Sequence, residues 1–337
     1  MALLRTLGRF PGLCRWLRTR TLRWSQGLDV DLGALRLAHP VGLAAGLDKN
    51  AEAVNGLFAL GFAAVEVGTL TPRPQSGNPP PRLFRLPRHQ ALINRMGFNN
   101  RGVAEASVRL AESRPIRAGA VGVNVGKNKD TPLENAAADY LACLDALGAL
   151  GDYVVVNLSS PNTPGLRQLQ EPEALRGLLA AVRGRLNQVA SEKPLFLKIA
   201  PDLGSEAIDA VVDVALEARV DGLIATNTTI TRPVSGPHAE QSGGLSGRPL
   251  SGMSTAVVRR AYARARGKLP IVGVGGVFDA EDLYAKLKAG ASFVQLYTGF
   301  VYQGPAVVGQ LLRELRHLMD RDGYSTVRDV VGADHRI

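Results

Sequence analysis

Polar and charged side chains recur where short apolar runs of the chain end. Helix capping would account for one or two polar residues at such ends. It does not account for two lysines and several asparagines, so the pattern predicts a binding or catalytic site where these ends converge. The positions are Asp48-Lys49, Thr69, Asn124, Asn157 with Ser159-Ser160, Lys198, Thr226-Asn227-Thr228, Gly275-Gly276 and Tyr297-Thr298.

Glycines close the last two of these runs and indicate an anion site. The segment 273–276 reads Gly-Val-Gly-Gly, 297–299 reads Tyr-Thr-Gly, and 243–247 in the preceding loop holds three more glycines. Glycines let bare backbone N–H groups approach an anion, and parallel barrels commonly hold phosphate after strands seven and eight. A tight turn alone would also explain the glycines. Their pairing favours a phosphorylated cofactor or substrate.

Lys198 and the segment 157–165 carry candidate reactive groups. A lysine on an apolar strand is costly to bury unless it meets an anion. Lys198 therefore predicts either a Schiff-base amine or a positive charge beside an electron-accepting ring. Lys49 could pair with Asp48 or hold a substrate anion. Segment 157–165 could be a plain turn, and Ser160 has no neighbouring histidine or acid in sequence to support an esterase triad.

The elements that would position these residues alternate between strands and helices from residue 41 onwards. Unbroken apolar runs are typical of parallel strands covered on both faces. Eight strand–helix units favour a closed (β/α)8 TIM barrel over a doubly wound open sheet, whose glycine turn would follow its first strand. The predicted strands are Val41–Gly46, Ala63–Thr69, Ala120–Gly126, Tyr153–Ser159, Leu195–Ala200, Gly222–Asn227, Ile271–Gly276 and Phe293–Gly299. The predicted helices are Leu133–Leu150, Pro172–Ala190, Ser205–Ala218, Thr255–Arg266, Ala280–Ala289 and Ala306–Met319.

Two connections after predicted strands are unusually long. Residues 72–100 follow the second strand and contain a predicted hairpin of Arg82–Leu86 and Ala91–Asn94. Residues 228–251 follow the sixth strand. Long loops in compact domains are commonly functional, and active sites of parallel barrels lie at the carboxyl ends of their strands. We therefore expect both loops to belong to the site.

The composition limits the class of protein. With 337 residues, of which 45% are hydrophobic, the chain is globular, and intrinsic disorder is excluded. The two cysteines, Cys14 and Cys143, cannot form a disulfide framework and favour a reducing compartment. No apolar run reaches the roughly 18 residues of a membrane span. No histidine pairs with a cysteine at metal-ligand spacing, so no metal site is predicted.

The net charge of +10 is concentrated at the N-terminus. Six of the 40 basic residues and none of the 30 acidic residues lie in 1–28, which leaves 34 basic against 30 acidic residues in 29–337. Residues 1–28 show helical periodicity interrupted at Pro11-Gly12 and contain both tryptophans, Trp16 and Trp24. This segment could lie in a membrane interface, be a transit peptide, pack on the main domain or bind nucleic acid. The predicted domains are 1–28 and 29–337.

Several segments between residue 44 and residue 250 resemble the motifs of a known family and follow in the same order along the chain. They are Ala44–Asn50, Glu66–Thr69, Asn94–Asn99, Gly126–Lys129, Asn157–Thr163, Lys198–Asp202 and Gly243–Leu250. These segments resemble class 2, quinone-dependent dihydroorotate dehydrogenases. The resemblance implies a flavin-containing (β/α)8 barrel, which agrees with the strand count. It also implies oxidation of dihydroorotate to orotate in de novo pyrimidine biosynthesis.

The resemblance implies ligands for the matching positions. Lys198 would stabilise the negative charge of a reduced flavin, and ammonium and amide groups suit the carboxylate and cyclic imide of dihydroorotate. The implied FMN-binding residues are Ala45, Gly46, Leu47, Asp48, Lys49, Thr69, Asn124, Asn157, Lys198, Thr226, Gly247, Gly276, Tyr297 and Thr298. The implied substrate-binding residues are Lys49, Asn94, Arg95, Met96, Gly97, Phe98, Asn157, Asn162, Asn227 and Thr228.

Ser160 matches the catalytic base of the family. It would take a proton from C5 of dihydroorotate while a hydride passes from C6 to the flavin. A free serine is a poor base, so Thr163 and an ordered water are expected to relay the proton. The soluble classes resemble this core but use cysteine at this position. Ser160 and the basic N-terminal segment together indicate the quinone-linked class.

The resemblance further implies that electrons pass to a membrane quinone through the N-terminal helices, whose arginines would meet anionic lipid. The expected location is peripheral, on the cytoplasmic face of a bacterial inner membrane, with the mitochondrial inner membrane as the alternative. Residues 1–28 do not match the family's N-terminal helices motif by motif, so no quinone contacts are assigned.

Two other functions compete with this one. A flavin barrel acting on nucleic acid, such as a tRNA dihydrouridine synthase, would suit the isoelectric point near 9.9. The concentration of charge before residue 29 argues against it, because RNA binding predicts basic residues spread over the rim. A non-enzymatic membrane-binding module would explain only the N-terminal segment.

Overall fold

Eight parallel strands form a closed barrel in the computed structural model, which describes residues 1–336. Each strand pairs with its neighbours in chain order, and the last closes on the first with Val294 opposite Val41. The predicted TIM barrel is confirmed. The strands are β1 (Val41–Leu43), β2 (Ala64–Leu70), β3 (Ala120–Val125), β4 (Tyr153–Asn157), β5 (Leu195–Ile199), β6 (Gly222–Ala225), β7 (Ile271–Val274) and β8 (Ala291–Leu296).

Helices surround the barrel and bury its outer face. All residues within the six strands β2 to β7 are buried, which explains why these strands appear in the sequence as unbroken apolar runs. The helices are α1 (Ala2–Leu7), α2 (Pro11–Leu22), α3 (Val54–Ala59), α4 (Gly102–Ser113), α5 (Ala136–Leu147), α6 (Pro172–Ala190), α7 (Ser205–Glu217), α8 (Ser251–Ala265), α9 (Ala280–Lys288), α10 (Thr298–Gln303), α11 (Val307–Asp322) and α12 (Val327–Val330).

Several elements differ from the sequence prediction: most strands end one to three residues earlier than predicted, and the short helices α3, α10 and α12 were not predicted. The eighth strand was predicted to reach Gly299 but ends at Leu296, because Tyr297 leaves the extended region at φ −141° and ψ −75° and α10 begins at Thr298. Helix α4 was not predicted. Leu110 is the one large apolar side chain that it buries, and the other buried residues are Gly102, Ala106 and Ser113.

The two long loops meet in a three-stranded antiparallel sheet, here called the cap sheet. It consists of Leu83–Leu86, Ala91–Asn94 and Gly244–Gly247, with Leu245 opposite Ile93. The predicted hairpin is confirmed, and the second loop adds the third strand. Phe84, Ile93 and Leu245 bury their side chains in a small separate core. The cap sheet therefore joins the loops after β2 and β6 into one lid over the barrel.

The N-terminal helices α1 and α2 pack against α3, and α2 also touches α11. Arg18 donates hydrogen bonds of 3.1 Å to the carbonyl oxygens of Phe58 and Phe62. The predicted interruption at Pro11 falls at the first residue of α2, where proline is tolerated. None of the helices within residues 1–336 combines the length and apolarity that crossing a bilayer requires. Six large apolar side chains in these helices or next to them are more than a third exposed: Met1, Leu3, Phe10, Leu13, Trp16 and Trp24.

Candidate active site

A cavity with about 1060 Å³ of empty space opens between the carboxyl ends of the barrel strands and the cap sheet. Its size, mouth included, lies at the upper end of the range for small-molecule sites. Residues from all the predicted strand ends except that of β3 line it. The predicted site residues that line it are Ala45, Gly46, Lys49, Thr69, Asn94, Met96, Gly97, Phe98, Asn157, Ser160, Asn162, Lys198, Thr226, Asn227, Thr228, Gly247, Gly276, Tyr297 and Thr298.

The remaining predicted site residues lie behind the lining. Asp48 accepts hydrogen bonds of 2.8 Å from the N–H groups of Glu52 and Ala53. It thereby shapes the turn that places Lys49 in the cavity. The Arg95 guanidinium stacks on the Phe84 ring, 4.7 Å from its centroid. These residues support the wall of the cavity. The five residues are Leu47, Asp48, Arg95, Asn124 and Thr163.

A buried polar network lies below the cavity inside the barrel. Glu66 accepts hydrogen bonds of 2.7 Å from Asn124 Nδ2 and Gln295 Nε2. Its Oε1 lies 3.7 Å from Lys198 Nζ. Asn124 Oδ1 in turn accepts a 2.6 Å hydrogen bond from Thr69 Oγ1. The network fixes Lys198 at the floor of the cavity with its countercharge beneath it.

Glu66 and Gln295 were not predicted as site residues. Each has apolar neighbours on its barrel strand, Glu66 between two valines on β2 and Gln295 between a valine and a leucine on β8. The same argument that singled out Lys198 on β5 applies to both, because a buried charged or amide group needs a partner.

Amide and hydroxyl groups form one wall of the cavity. Asn157 Oδ1 accepts a 2.9 Å hydrogen bond from Ser159 Oγ, and Asn227 Nδ2 donates to the same hydroxyl at 2.9 Å. Asn162 Nδ2 donates to the carbonyl of Asn94 at 3.2 Å. Loops after β4 and β6 and the cap sheet are thereby tied together. The amides that line the cavity suit a cyclic imide with paired donors and acceptors.

Ser160 is 5% exposed and lines the cavity. Its Oγ accepts a 3.2 Å hydrogen bond from the N–H of Asn162. Within residues 1–336 its hydroxyl donates to no protein group and pairs with no histidine or carboxylate. The oxygen is therefore available to a bound molecule, and within residues 1–336 Ser160 is not part of a triad of the esterase type.

Lys49 places an ammonium group in the cavity. Its Nζ donates a 2.7 Å hydrogen bond to the carbonyl of Gly46. Its pKa is lowered to about 8, chiefly by burial and also by the positive charge of Arg82, while the negative charge of Asp48 opposes the shift. Near neutral pH the ammonium form dominates, so Lys49 can hold an anionic ligand group.

Glycines and hydroxyls form the end of the cavity near β7 and β8. Gly276 has φ +72°, and a Cβ there would lie 2.3 Å from Ser251 Cα, so no larger residue fits. Thr298 Oγ1 and Ser246 Oγ share a 2.8 Å hydrogen bond across the same end. Backbone N–H groups at a glycine turn beside a helix start are suited to a phosphate.

Arg167 was not predicted as a site residue, yet it joins three loops of the site. It donates hydrogen bonds of 3.1 Å to the carbonyls of Ser159 and Thr228 and forms a 2.8 Å ion pair with Asp202. These partners follow β4, β6 and β5. Arg167 therefore keeps the loop of Ser160 in register with its neighbours. The sequence offered one signal, its place two residues beyond the proline-rich segment 157–165.

The described residues contain no group of three or more histidine, cysteine, aspartate or glutamate side chains that could hold a metal ion. What the cavity offers instead is an amide wall, two lysines and a glycine turn. This set can bind a small anionic ring compound together with a phosphorylated cofactor.

Comparison with known proteins agrees with this arrangement. A family model described as dihydroorotate dehydrogenase matches residues 27–319. A Myxococcus xanthus protein named dihydroorotate dehydrogenase (quinone) is 64% identical over 337 residues, which cover 100% of this chain and 93% of that protein. An Acidithiobacillus ferrooxidans protein of the same name is 50% identical over 341 residues, covering 99% and 93%.

The fold comparison gives the same family. A crystal structure of DHODH from Eimeria tenella in complex with ferulenol superposes with a TM-score of 0.89 at 42% identity, covering 94% of this chain and 90% of that one. These relatives leave the tRNA-modifying and non-enzymatic hypotheses without support. On its sequence, its barrel and its relatives, this chain belongs to the quinone-dependent branch of the dihydroorotate dehydrogenase family of oxidoreductases.

Proposed function

We propose that this protein oxidises (S)-dihydroorotate to orotate in de novo pyrimidine biosynthesis, with FMN as the first electron acceptor and a membrane quinone as the final one. The observation that carries the proposal is a single cavity lined by Ser160, Lys49, Lys198 and the glycine turn at Gly276. The names of the relatives supply the reaction class and the quinone.

FMN fits the residues of the cavity. Its phosphate would lie against the N–H groups of Gly276 and Thr298, at the end of the cavity bounded by the start of α8. Lys198 would lie near its ring, held by Glu66 at 3.7 Å. When bound, FMN supplies a two-electron acceptor for a hydride. Lys198 contributes a positive charge that stabilises the reduced, negatively charged state.

Dihydroorotate would lie between the cap sheet and the wall formed by Asn157 and Asn227. The Lys49 ammonium would bind its carboxylate, and the amides would bind its imide edge. Ser160 Oγ, which lines the cavity, would take the proton from C5 while its own hydroxyl proton passes to a water. Buried Thr163 lies in the same loop, where it would pass the proton on through a water.

The N-terminal helices would place the protein at the membrane surface, where its quinone dissolves. Their exposed side chains combine Leu3 (81% exposed), Phe10 (56%) and Trp16 (53%) with an excess of arginine. Amphipathic helices of this composition bind the interface of anionic bilayers. We propose a peripheral location on the cytoplasmic face of a bacterial inner membrane, or on the mitochondrial inner membrane in the alternative.

The experiment that tests this function compares electron acceptors. The purified protein is incubated with dihydroorotate and a short-chain quinone, fumarate or NAD, and orotate is followed by its absorbance. We expect a yellow protein and orotate formation with the quinone. Orotate formation with NAD or fumarate alone would overturn the quinone assignment, and no orotate with any acceptor would overturn the reaction.

A further inference from the structure

Lys286 is a fully buried lysine outside the set of site residues described so far. It lies on α9, and its relative exposure is 0%. Its Nζ donates hydrogen bonds of 2.7 Å to Ser254 Oγ and 3.0 Å to Thr255 Oγ1, both in the first turns of α8. No carboxylate within residues 1–336 forms an ion pair with it. A buried ammonium without a countercharge is unfavourable, so its position requires an explanation.

The hydrogen bonds of Lys286 lead to the glycine turn after β7. Ser254 Oγ accepts from Lys286, and its own proton can reach two carbonyl oxygens, that of Gly275 at 2.9 Å and that of Ser251 at 3.1 Å. The Gly275–Gly276 peptide is trans, so its N–H points away from its carbonyl. That N–H belongs to Gly276, which lines the cavity and donates to no group within residues 1–336. Lys286 therefore helps to aim a free donor into the cavity.

The N-terminus of α8 adds positive potential at the same end of the cavity. This helix has 15 residues and begins at Ser251, whose Cα would lie 2.3 Å from a Cβ on Gly276. Thr255, the second partner of Lys286, donates to the carbonyl of Ser251 at 2.8 Å. The ammonium charge, the positive end of the helix dipole and the Gly276 N–H thus converge on one end of the cavity.

The charges around Lys286 favour the binding of an anion nearby. Burial lowers the pKa of Lys286 to about 7, and the only nearby charge that raises it is Asp282. Asp282 is already engaged by Arg248 at 3.2 Å and by the N–H of Phe278 at 2.9 Å. A bound anion at the glycine turn would supply the countercharge that the protein does not.

We propose that Lys286 is a positioning residue for the phosphate of the bound cofactor, acting through Ser254 and the Gly275–Gly276 peptide. The inference rests on the proposed use of FMN. It assigns to Lys286 a specific contribution to phosphate recognition, since Lys286 is not among the residues that line the cavity.

The test compares a flavin that has the phosphate with one that lacks it. Holoenzyme is prepared as wild type, Lys286→Met and Lys288→Met, where Lys288 lies on the same helix but points to Asp334 at 3.8 Å. Dissociation constants for FMN and for riboflavin are measured from the recovery or quenching of flavin fluorescence. We expect Lys286→Met to weaken FMN binding by about tenfold, the scale of one charge beside a bound anion. Riboflavin binding should not change, and Lys288→Met should match wild type for both flavins.

The outcomes separate the inference from the function on which it rests. Equal weakening of FMN and riboflavin, or no weakening of either, would overturn the role of Lys286. Wild-type protein that binds FMN no better than riboflavin would overturn the phosphate site itself. If Lys286→Met does not fold, Ser254→Ala decides the matter: a loss confined to FMN supports the relay, and an unchanged FMN affinity contradicts it.

Discussion

Lys198 Nζ lies 3.7 Å from Glu66 Oε1, with both side chains buried inside the barrel. The distance is longer than a charge-assisted hydrogen bond, so the carboxylate attracts the ammonium electrostatically without accepting a hydrogen bond from it. Asn124 and Gln295 hold Glu66 from the sides at 2.7 Å each. The ammonium is therefore fixed from below while the cavity above it stays free for an electron-accepting ring.

Removal of the Glu66 charge should destabilise the protein. In Glu66→Gln the buried Lys198 loses its countercharge, and breaking such a pair from one side costs roughly 3–5 kcal/mol. The free energy of unfolding in urea measures this loss. The matched control is Glu217→Gln, which breaks the exposed pair with Arg176 and should cost less than about 1 kcal/mol. Equal losses in the two variants would show that the buried Glu66–Lys198 pair contributes no more to the free energy of unfolding than an exposed pair does.

Dihydroorotate binding should weaken as the pH rises above about 8. Burial lowers the pKa of Lys49 to about 8, so the ammonium is present below that pH and is lost above it. Only the ammonium form binds the carboxylate of the substrate, and the KM for dihydroorotate should therefore rise with alkaline pH. The measurement is KM against pH for wild type and Lys49→Arg. The arginine variant keeps its charge, so its KM should lack this rise, and a rise of the same size in both would exclude Lys49 as its source.

Substitution of Ser160 should slow chemistry and leave substrate binding intact. In Ser160→Ala the proton acceptor at C5 is gone, and loss of a general base lowers rates by about 10²–10⁴-fold. Rapid mixing of the flavin-loaded protein with dihydroorotate gives the rate of flavin bleaching and the substrate dissociation constant separately. Ser107→Ala, on the outer helix α4, serves as the control. Unchanged bleaching in Ser160→Ala near neutral pH would remove Ser160 from the mechanism.

The exposed face of α1 and α2 should carry membrane attachment. The triple substitution of Leu3, Phe10 and Trp16 by serine removes apolar surface without touching the Arg18 contacts to the barrel. We expect weaker co-sedimentation with anionic vesicles and slower turnover with a long-chain quinone. Turnover with a short-chain quinone should persist. Val108→Ser removes an equally exposed apolar side chain from α4, and an identical loss of sedimentation in that control would contradict the assignment.

Deletion of residues 1–28 is a less specific test of the same idea. Leu28 is fully buried, and Arg18 binds the carbonyls of Phe58 and Phe62. The deletion should therefore lower the stability of the barrel as well as membrane binding. Dihydroorotate binding should survive, because none of residues 1–28 lines the cavity. Thermal unfolding of the truncated chain measures the first effect.

The barrel was predictable because local sequence carries its main signal. Strands such as β4 and β5 are buried on both faces, so their apolar runs stand out, and the predicted helix Pro172–Ala190 coincides with α6. Strand ends were predicted too far, since residues such as Asn227 and Gly276 belong to the polar turns that follow. The family resemblance supplied residue roles that periodicity alone does not contain.

The pairing of distant side chains was not predictable from local pattern. Glu66, Gln295 and Arg167 act through partners on other strands or loops, and only the closed barrel brings those partners within reach. The placement of α1 and α2 was likewise not predictable from local pattern. Their sequence allowed packing on the main domain and attachment to a membrane as separate interpretations, whereas the folded pair packs with one face and exposes an apolar surface with the other.

The most direct test of the central claim follows the flavin itself through both half-reactions. Protein purified with its yellow cofactor is mixed anaerobically with dihydroorotate, and its visible absorbance is recorded before a short-chain quinone is added. The account predicts bleaching with formation of about one orotate per flavin, followed by return of the yellow colour on addition of the quinone. A spectrum that dihydroorotate leaves unchanged would contradict it, as would a bleached flavin that the quinone does not reoxidise.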